Sequence, residues 1–178
     1  MKQRLRGFTL VELLVTLTVT AVLMALAAPT FRTLLLKRSV QAAADALVSD
    51  LRLARSEAVK RSATVSVCSS ADGASCSNGA AWQSGGIVFA DADGDGSLDA
   101  EDTVLRVQDA WRSVASIASA TPGNDRRSFV FQATGIARAA TQTFFVTPTG
   151  LAADLTRLVC VSSQGRPALR ASGSVSCS

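Results

Sequence analysis

The stretch DADGDGSLDAED carries six carboxylates, at Asp91, Asp93, Asp95, Asp99, Glu101 and Asp102, with Gly96 among them. A calcium loop with oxygen ligands asks for acids at its first, third, fifth and twelfth positions and a glycine at the sixth. Asp91, Asp93, Asp95, Asp102 and Gly96 fit that grid, Leu98 takes the apolar eighth position and Asp99 the ninth. Short carboxylates at alternate positions converge, and the glycine permits the sharp turn. Two features depart from the pattern. Asp102 is one methylene shorter than the usual bidentate Glu, and the flanks GGIVFA and TVLRV read as strands, not helices. Calcium at such a loop is expected to bind weakly, at about 0.1–1 mM as in extracellular modules. The competing reading is a solvated hairpin loop, because Asp and Gly are turn residues in any case.

Four cysteines, Cys68, Cys76, Cys160 and Cys177, form no CxxC pair, which argues against zinc and thioredoxin-type chemistry. Outside a membrane an even count reads as two disulfides, and three connectivities are open. The local pairs Cys68–Cys76 and Cys160–Cys177 are preferred because each closes a short loop between plausible strands. Buried free thiols are the alternative. The chain has no His, so the commonest general base and metal ligand is missing. It also lacks a nucleophile–base motif and a phosphate-cradling glycine loop. An enzyme is therefore the least expected class.

Charge is unevenly placed. The net charge is +4, but Lys2, Arg4 and Arg6 supply three of those charges, and without residues 1–7 the balance is 15 basic against 14 acidic side chains. Residues 91–109 hold seven of the 14 acids, while residues 110–178 hold seven arginines against Asp125 and Asp154. Arg157, Arg166 and Arg170 lie in RLVCVSSQGRPALRASGSVSC, a strand–turn–strand pattern that contains Cys160 and Cys177. Arginines on a turn held by a disulfide can meet phosphates without reading bases. Arg126, Arg127 and Arg138 are candidates to extend that patch. The plain alternative is a solvated turn whose arginines pair with nearby carboxylates.

These side chains need elements to hold them. Val40, Ala43, Leu47, Leu51, Ala54 and Ala58 recur every three or four residues, one face of a helix running to about Arg61. Asp45, Asp50, Arg52, Arg55, Glu57, Lys60 and Arg61 fall mostly on the other faces, and Glu57–Arg61 is a well-oriented i,i+4 pair. A lone helix does not stabilise such a face, so a sheet must cover it. From Ala63 onward ATVSVCSS, GGIVFAD, TVLRV, SVASIA, SFVFQ, TFFVTP, RLVCVS, ALRAS and SVSC read as short strands separated by turn residues. Val65, Val67, Ile87, Phe89, Val104, Val107, Phe129, Phe131, Phe144, Val146, Leu158 and Val161 are expected to point inward, with Trp82 and Trp111 packed over the core. The expected class is α+β, one long helix on antiparallel sheet structure.

Ahead of this helix stands RGFTLVELLVTLTVTAVLMALAAP. From Phe8 to Ala28 it holds 21 residues and one charge, Glu12. At ~1.5 Å per residue that length spans about 32 Å, the thickness of a bilayer core. A cleaved secretory signal or a plain anchor accounts for the length, but neither accounts for GFTLVE. A short basic leader, Gly7, Phe8 and an acid inside the apolar segment resemble the class III leader of type IV pilins and pseudopilins. The stretch LRLARSEAVKRSATVSV narrows the resemblance to the FimT/FimU/GspH group of minor pilins and pseudopilins, and the likeness covers most of the chain.

The resemblance implies a type IV pilin-like fold divided into a leader (1–7), a transmembrane assembly segment (8–29), an amphipathic half-helix (30–62) and a β-rich globular domain (63–178). It implies that a prepilin peptidase cuts between Gly7 and Phe8, that the new amine of Phe8 is methylated, and that Pro29 sits where relatives carry a helix-kinking proline. Glu12 then becomes the fifth residue of the mature chain. An intramembrane carboxylate costs up to about 3 kcal/mol unless paired, and the Phe8 amine of a neighbouring subunit is a suitable partner; a Glu that snorkels without one is the alternative.

The implied location is the inner membrane, single-pass, with a periplasmic domain and with other minor and major pilins as partners in a pilus or pseudopilus. FimT-like proteins implicated in natural DNA uptake carry Gly-Arg-x-Arg near this C-terminal turn. Gly165 and Arg166 match it; Pro167, Ala168 and Leu169 intervene before Arg170, a substitute for the second arginine. Double-stranded DNA is thus a candidate partner. Two functions follow: a minor pilin that primes assembly, with or without DNA contact, or a GspH-type pseudopilin of type II secretion. No cofactor is expected beyond the weak calcium.

Overall fold

The computed structural model describes residues 7–77, 79, 81–119, 127–138, 141–150, 153–170 and 177. The leader residues 1–6, Arg126 and most of the SVSC segment lie outside the described residues. Helix α1 runs from Leu10 to Arg61. Eight strands follow: β1 (Val65–Ser69), β2 (Gly86–Ala90), β3 (Thr103–Gln108), β4 (Val114–Ser119), β5 (Ser128–Phe131), β6 (Gln142–Pro148), β7 (Arg157–Val161) and β8 (Pro167–Arg170). The chain divides into two compact units, 1–35 and 36–178.

In the first unit, α1 is apolar and exposed; Leu10, Val11, Leu17, Val22, Leu23 and Leu26 all face outward. An 18-residue window of it is long and apolar enough to cross a membrane. A solvent of lipid tails leaves such a surface at no disadvantage, whereas water does. The helix continues through Pro29.

In the second unit, two antiparallel sheets share one core with the helix. Their strand orders are β3-β2-β1-β5 and β4-β6-β7-β8. Val40, Ala43, Leu47, Leu51, Ala54 and Ala58 are buried along one face of α1, as their spacing requires. They join Val65, Val67, Val88, Phe129 and Phe131 of the first sheet and Ile117, Phe144, Val146, Val159 and Val161 of the second. Trp82 stacks edge-on against Phe144 with ring centroids 5.4 Å apart. The alanines let the sheets approach the helix backbone, and Phe129, Phe131, Phe144 and Trp82 are the large aromatic side chains of this core. The helix ends on a left-handed Ser62 (φ 51). The Ala63 N–H donates to Ala58 O and the Ser62 N–H to Val59 O, the paired bonds of a Schellman cap. This cap turns the chain directly into β1.

The expectation that Val104 and Val107 point inward is wrong: they are 45% and 47% exposed. The β2–β3 register pairs Val88 with Arg106 and Phe89 with Val104, leaving Leu105 unpaired as a bulge. A bulge shifts side-chain parity by one, so Leu105 packs on the core instead. Val104 and Val107 stand opposite Phe89 and Ile87, on the face turned away from the helix. Ile87 and Phe89 are buried there with Cys68, and Cys76 and Leu98 cover them as a second small cluster. The first sheet is thus covered on both faces, by the helix and by loops.

Asp50, read from its position as surface charge, is buried, and its Oδ1 accepts from Arg106 Nη1 at 3.0 Å. Burial raises its pKa more than the guanidinium lowers it. Because Arg106 is partly exposed, Arg106→Ala is expected to cost about 1–2 kcal/mol near neutral pH, a discounted buried pair. The loss should shrink in acid, where Asp50 protonates. A loss independent of pH in thermal denaturation would reject this account.

Candidate functional site

The N-terminal residues are arranged for exposure and local capping. Phe8 is exposed, and Thr9 precedes the first helical residue. Thr9 Oγ1 accepts from the Glu12 N–H at 3.2 Å. Thr-x-x-Glu at a helix start is the sequence of a capping box, and Glu12 sits in the first turn, where the helix dipole favours negative charge. Thr16, Thr18 and Thr20 fold their hydroxyls back onto carbonyls of the preceding turn. In hydrocarbon this leaves those hydroxyls satisfied within the helix. Glu12 remains the one acid of the segment whose charge needs a partner.

The acidic loop joins β2 to β3. Carboxylate oxygens of Asp91, Asp93 and Asp95 lie within 4.8 Å of one another. Asp91 is buried and is the loop's anchor. Its Oδ1 accepts from the Gly94 N–H at 2.6 Å, and its Oδ2 accepts from the Gly96 N–H at 3.0 Å and from Ser66 Oγ at 2.5 Å. Asp93 and Asp95 are exposed and accept from the N–H two residues on, at Asp95 and Ser97. Asp99 and Asp102 do not belong to that trio. Asp99 accepts from the Glu101 N–H, and Asp102 closes the loop by accepting from Ala92 N–H at 2.8 Å and Asp99 N–H at 3.0 Å. Burial pushes the Asp91 carboxyl up despite these donors, and the neighbouring Asp102 charge adds to the rise.

Both disulfides join neighbours in sequence, Cys68 to Cys76 and Cys160 to Cys177. The first pins the loop after β1 over the Ile87–Phe89 cluster. Asp72 organises that loop by accepting from the Ala74 and Ser75 N–H groups, and these bonds hold its carboxyl far below the usual range.

At the β7–β8 turn, Gly165 is buried with φ +71, and a Cβ there would stand 2.4 Å from Gly135 O and 3.1 Å from Phe131 Cε1. Glycine is therefore required for packing as well as for the turn. Gly135 O in turn accepts from Arg55 Nε at 3.0 Å. Arg166 is exposed and shares a trough with Arg52, Arg55 and Lys60 of α1. Arg170 is also exposed but lies at the far end of β8, paired with Leu158, and does not line the trough. Arg157 is drawn to Gln41 Oε1 at 3.1 Å. Arg138 is exposed near Gly94. The three helix cations were legible only as solvated positions; their convergence with Arg166 depends on the tertiary fold.

Comparisons with known proteins agree with this geometry. The profile of the family described as type II transport protein GspH matches residues 43–165, and that of the prokaryotic N-terminal methylation motif matches residues 2–28. No curated sequence matches the chain. Among solved structures, the type IV minor pilin FimU of Pseudomonas aeruginosa superposes with a TM-score of 0.62 at 24% identity, over 79% of this chain and 95% of that one. The minor pseudopilin EpsH from the type II secretion system of Vibrio cholerae superposes with a TM-score of 0.53 at 14% identity, over 76% and 99%. Both likenesses are of fold.

Proposed function

Since the chain belongs to the GspH family of type II transport proteins and carries the N-terminal methylation motif, we propose that it is a minor pilin that helps prime assembly of a type IV pilus. The family consists of pilins and pseudopilins, structural filament subunits rather than enzymes. The observation that carries the proposal is the exposed apolar half of α1 with Glu12 in its first turn. In this reading prepilin peptidase cuts between Gly7 and Phe8, the helix waits in the inner membrane with its head in the periplasm, and Glu12 meets the Phe8 amine of a neighbouring pilin. The pairing neutralises both charges and sets helix register.

A second reading is a pseudopilin of type II secretion, favoured by the family profile over 43–165. A deletion strain separates the two. Loss of surface pili and twitching with secretion intact supports the pilus reading; loss of secretion with normal pili supports the pseudopilin. DNA contact through Gly165, Arg166 and Arg170 is a further part of the proposal, supported by exposed Arg166 on the β7–β8 turn and exposed Arg170 at the end of β8, beside a disulfide-bonded strand. Loss of transformation with normal pili is its cellular signature. The calcium reading of the 91–102 loop narrows to Asp91, Asp93 and Asp95. Calorimetry decides it: heat at a few millimolar calcium that Asp93→Ala and Asp95→Ala remove supports it, and no heat ends it.

A further inference from the structure

The trough between α1 and the start of β8 encloses about 700 Å³. Its helix wall is built from two adjacent rows spaced by four, Arg52–Ser56–Lys60 and Arg55–Val59, which lie on one face. Its opposite wall is Arg166 and Pro167. Arg52 to Lys60 covers about 12 Å of helix at 1.5 Å per residue. That length spans about three and a half phosphate spacings of one nucleic-acid strand, at 3.4 Å each along the axis.

Among the described residues, no ion pair involves Arg52, Arg55 or Arg166; Lys60 alone shares Glu57, at 3.3 Å, with Arg61. Four cations thus face one trough with a single neighbouring carboxylate. The arrangement is also held in place. Gly135 and Gly165 turn at positive φ, the Gly165 turn packs onto the Gly135 carbonyl, and that carbonyl fixes Arg55 Nε. The Arg55 guanidinium and the turn that carries Arg166 are therefore set across the trough from each other before any ligand arrives, which lowers the ordering cost of binding. Three of the four cations are arginines, whose planar forks match phosphate oxygens.

We infer that this trough binds the phosphodiester backbone of nucleic acid without reading sequence, through Arg52, Arg55, Lys60 and Arg166. The assignment rests on the DNA-contact reading above and changes its location: Arg166 acts with the helix cations, and Arg170 stands apart.

The test is fluorescence anisotropy of a labelled duplex with the full chain in uncharged detergent, at 25 to 200 mM salt. Neutralising Z phosphates gives a log–log salt slope of about −0.9 Z, so four cations predict a slope of about −3 to −4. Arg52→Ala, Lys60→Ala and Arg166→Ala should each weaken binding several-fold and reduce the slope by about one. Arg170→Ala should stay within about twofold of the parent. The two helix substitutions are at exposed positions, and unchanged melting confirms that the fold survives. If Arg52→Ala and Lys60→Ala bind as the parent does while the Arg166→Ala/Arg170→Ala double variant does not, the trough is overturned and the turn reading survives. If the parent does not bind, the DNA reading itself fails. If polyglutamate displaces the duplex as effectively as a second duplex, the trough is a site for an acidic protein segment and the assignment is wrong.

Discussion

Asp91→Ala is expected to destabilise the chain by about 3 kcal/mol near neutral pH, because three buried donors lose their acceptor at once. The donors are Ser66 Oγ and the N–H groups of Gly94 and Gly96. Asp91 is 2% exposed, so water does not readily replace it. The residue joins β1 to the first turn of the β2–β3 loop, and that loop delivers Leu98 to the cluster under the first sheet. Asp91→Asn should lie between the parent and Asp91→Ala. Its single carbonyl keeps one of the two glycine donors, and its amide still bonds the Ser66 hydroxyl.

The sign of the pH dependence follows from the direction of the shift. Burial raises the Asp91 carboxyl above its usual value in the folded chain. A raised folded pKa contributes stability that is fully present below the unfolded value and is lost as pH rises through the folded one. Parent stability therefore falls with rising pH in the window just above the ordinary Asp range, and Asp50 adds to the same trend. Asp72 and Glu57 are shifted down, so their contributions are lost in a separate window, as pH falls below that range. Denaturant titrations of parent and Asp91→Asn across the upper window should show the slope reduced in the variant. Parallel curves would refute the burial account.

Much of the fold could be read from local periodicity. The buried α1 face from Val40 to Ala58 follows from 3.6-residue spacing alone. Strands β1 to β8 follow from short apolar runs between turn residues. What periodicity does not carry is a change of parity inside a strand. TVLRV alternates either way, and only pairing with β2 shows that Leu105 is bulged inward and Val104 and Val107 outward. It also does not carry pairings between distant segments. Asp50 reads as surface charge until Arg106 is folded over it. Gly165 reads as part of an arginine motif until the Gly135 carbonyl is seen pressed against it. The cation trough escapes for the same reason, since its two walls are far apart in the chain. Glu12 is the opposite case: its significance is visible in sequence, because a lone acid in 21 otherwise uncharged residues demands a reason.

That reason has two physical candidates, and Glu12→Gln separates them. The first is local. Glu12 is the fourth residue of a Thr-x-x-Glu start, its N–H bonds Thr9 Oγ1, and its side chain lies in the first turn of α1. Capping of this kind is worth about 1 kcal/mol, and glutamine serves a capping box nearly as well as glutamate. The second is intermolecular: a carboxylate that neutralises the Phe8 amine of a neighbouring subunit. A charge left unpaired in the apolar layer costs about 2.5–3.5 kcal/mol, and each 1.4 kcal/mol is tenfold in an equilibrium. Charge pairing therefore predicts that Glu12→Ala and Glu12→Gln both lower incorporation into sheared filaments by about a hundredfold. The mass of the membrane-bound chain should show Gly7–Phe8 cleavage largely intact in both. Capping alone predicts that Glu12→Gln assembles like the parent and that Glu12→Ala falls by less than about tenfold. The expected outcome is the matched loss in both variants, because removing the carboxylate leaves a cation without a counterion in lipid, and no cap on the same helix restores it.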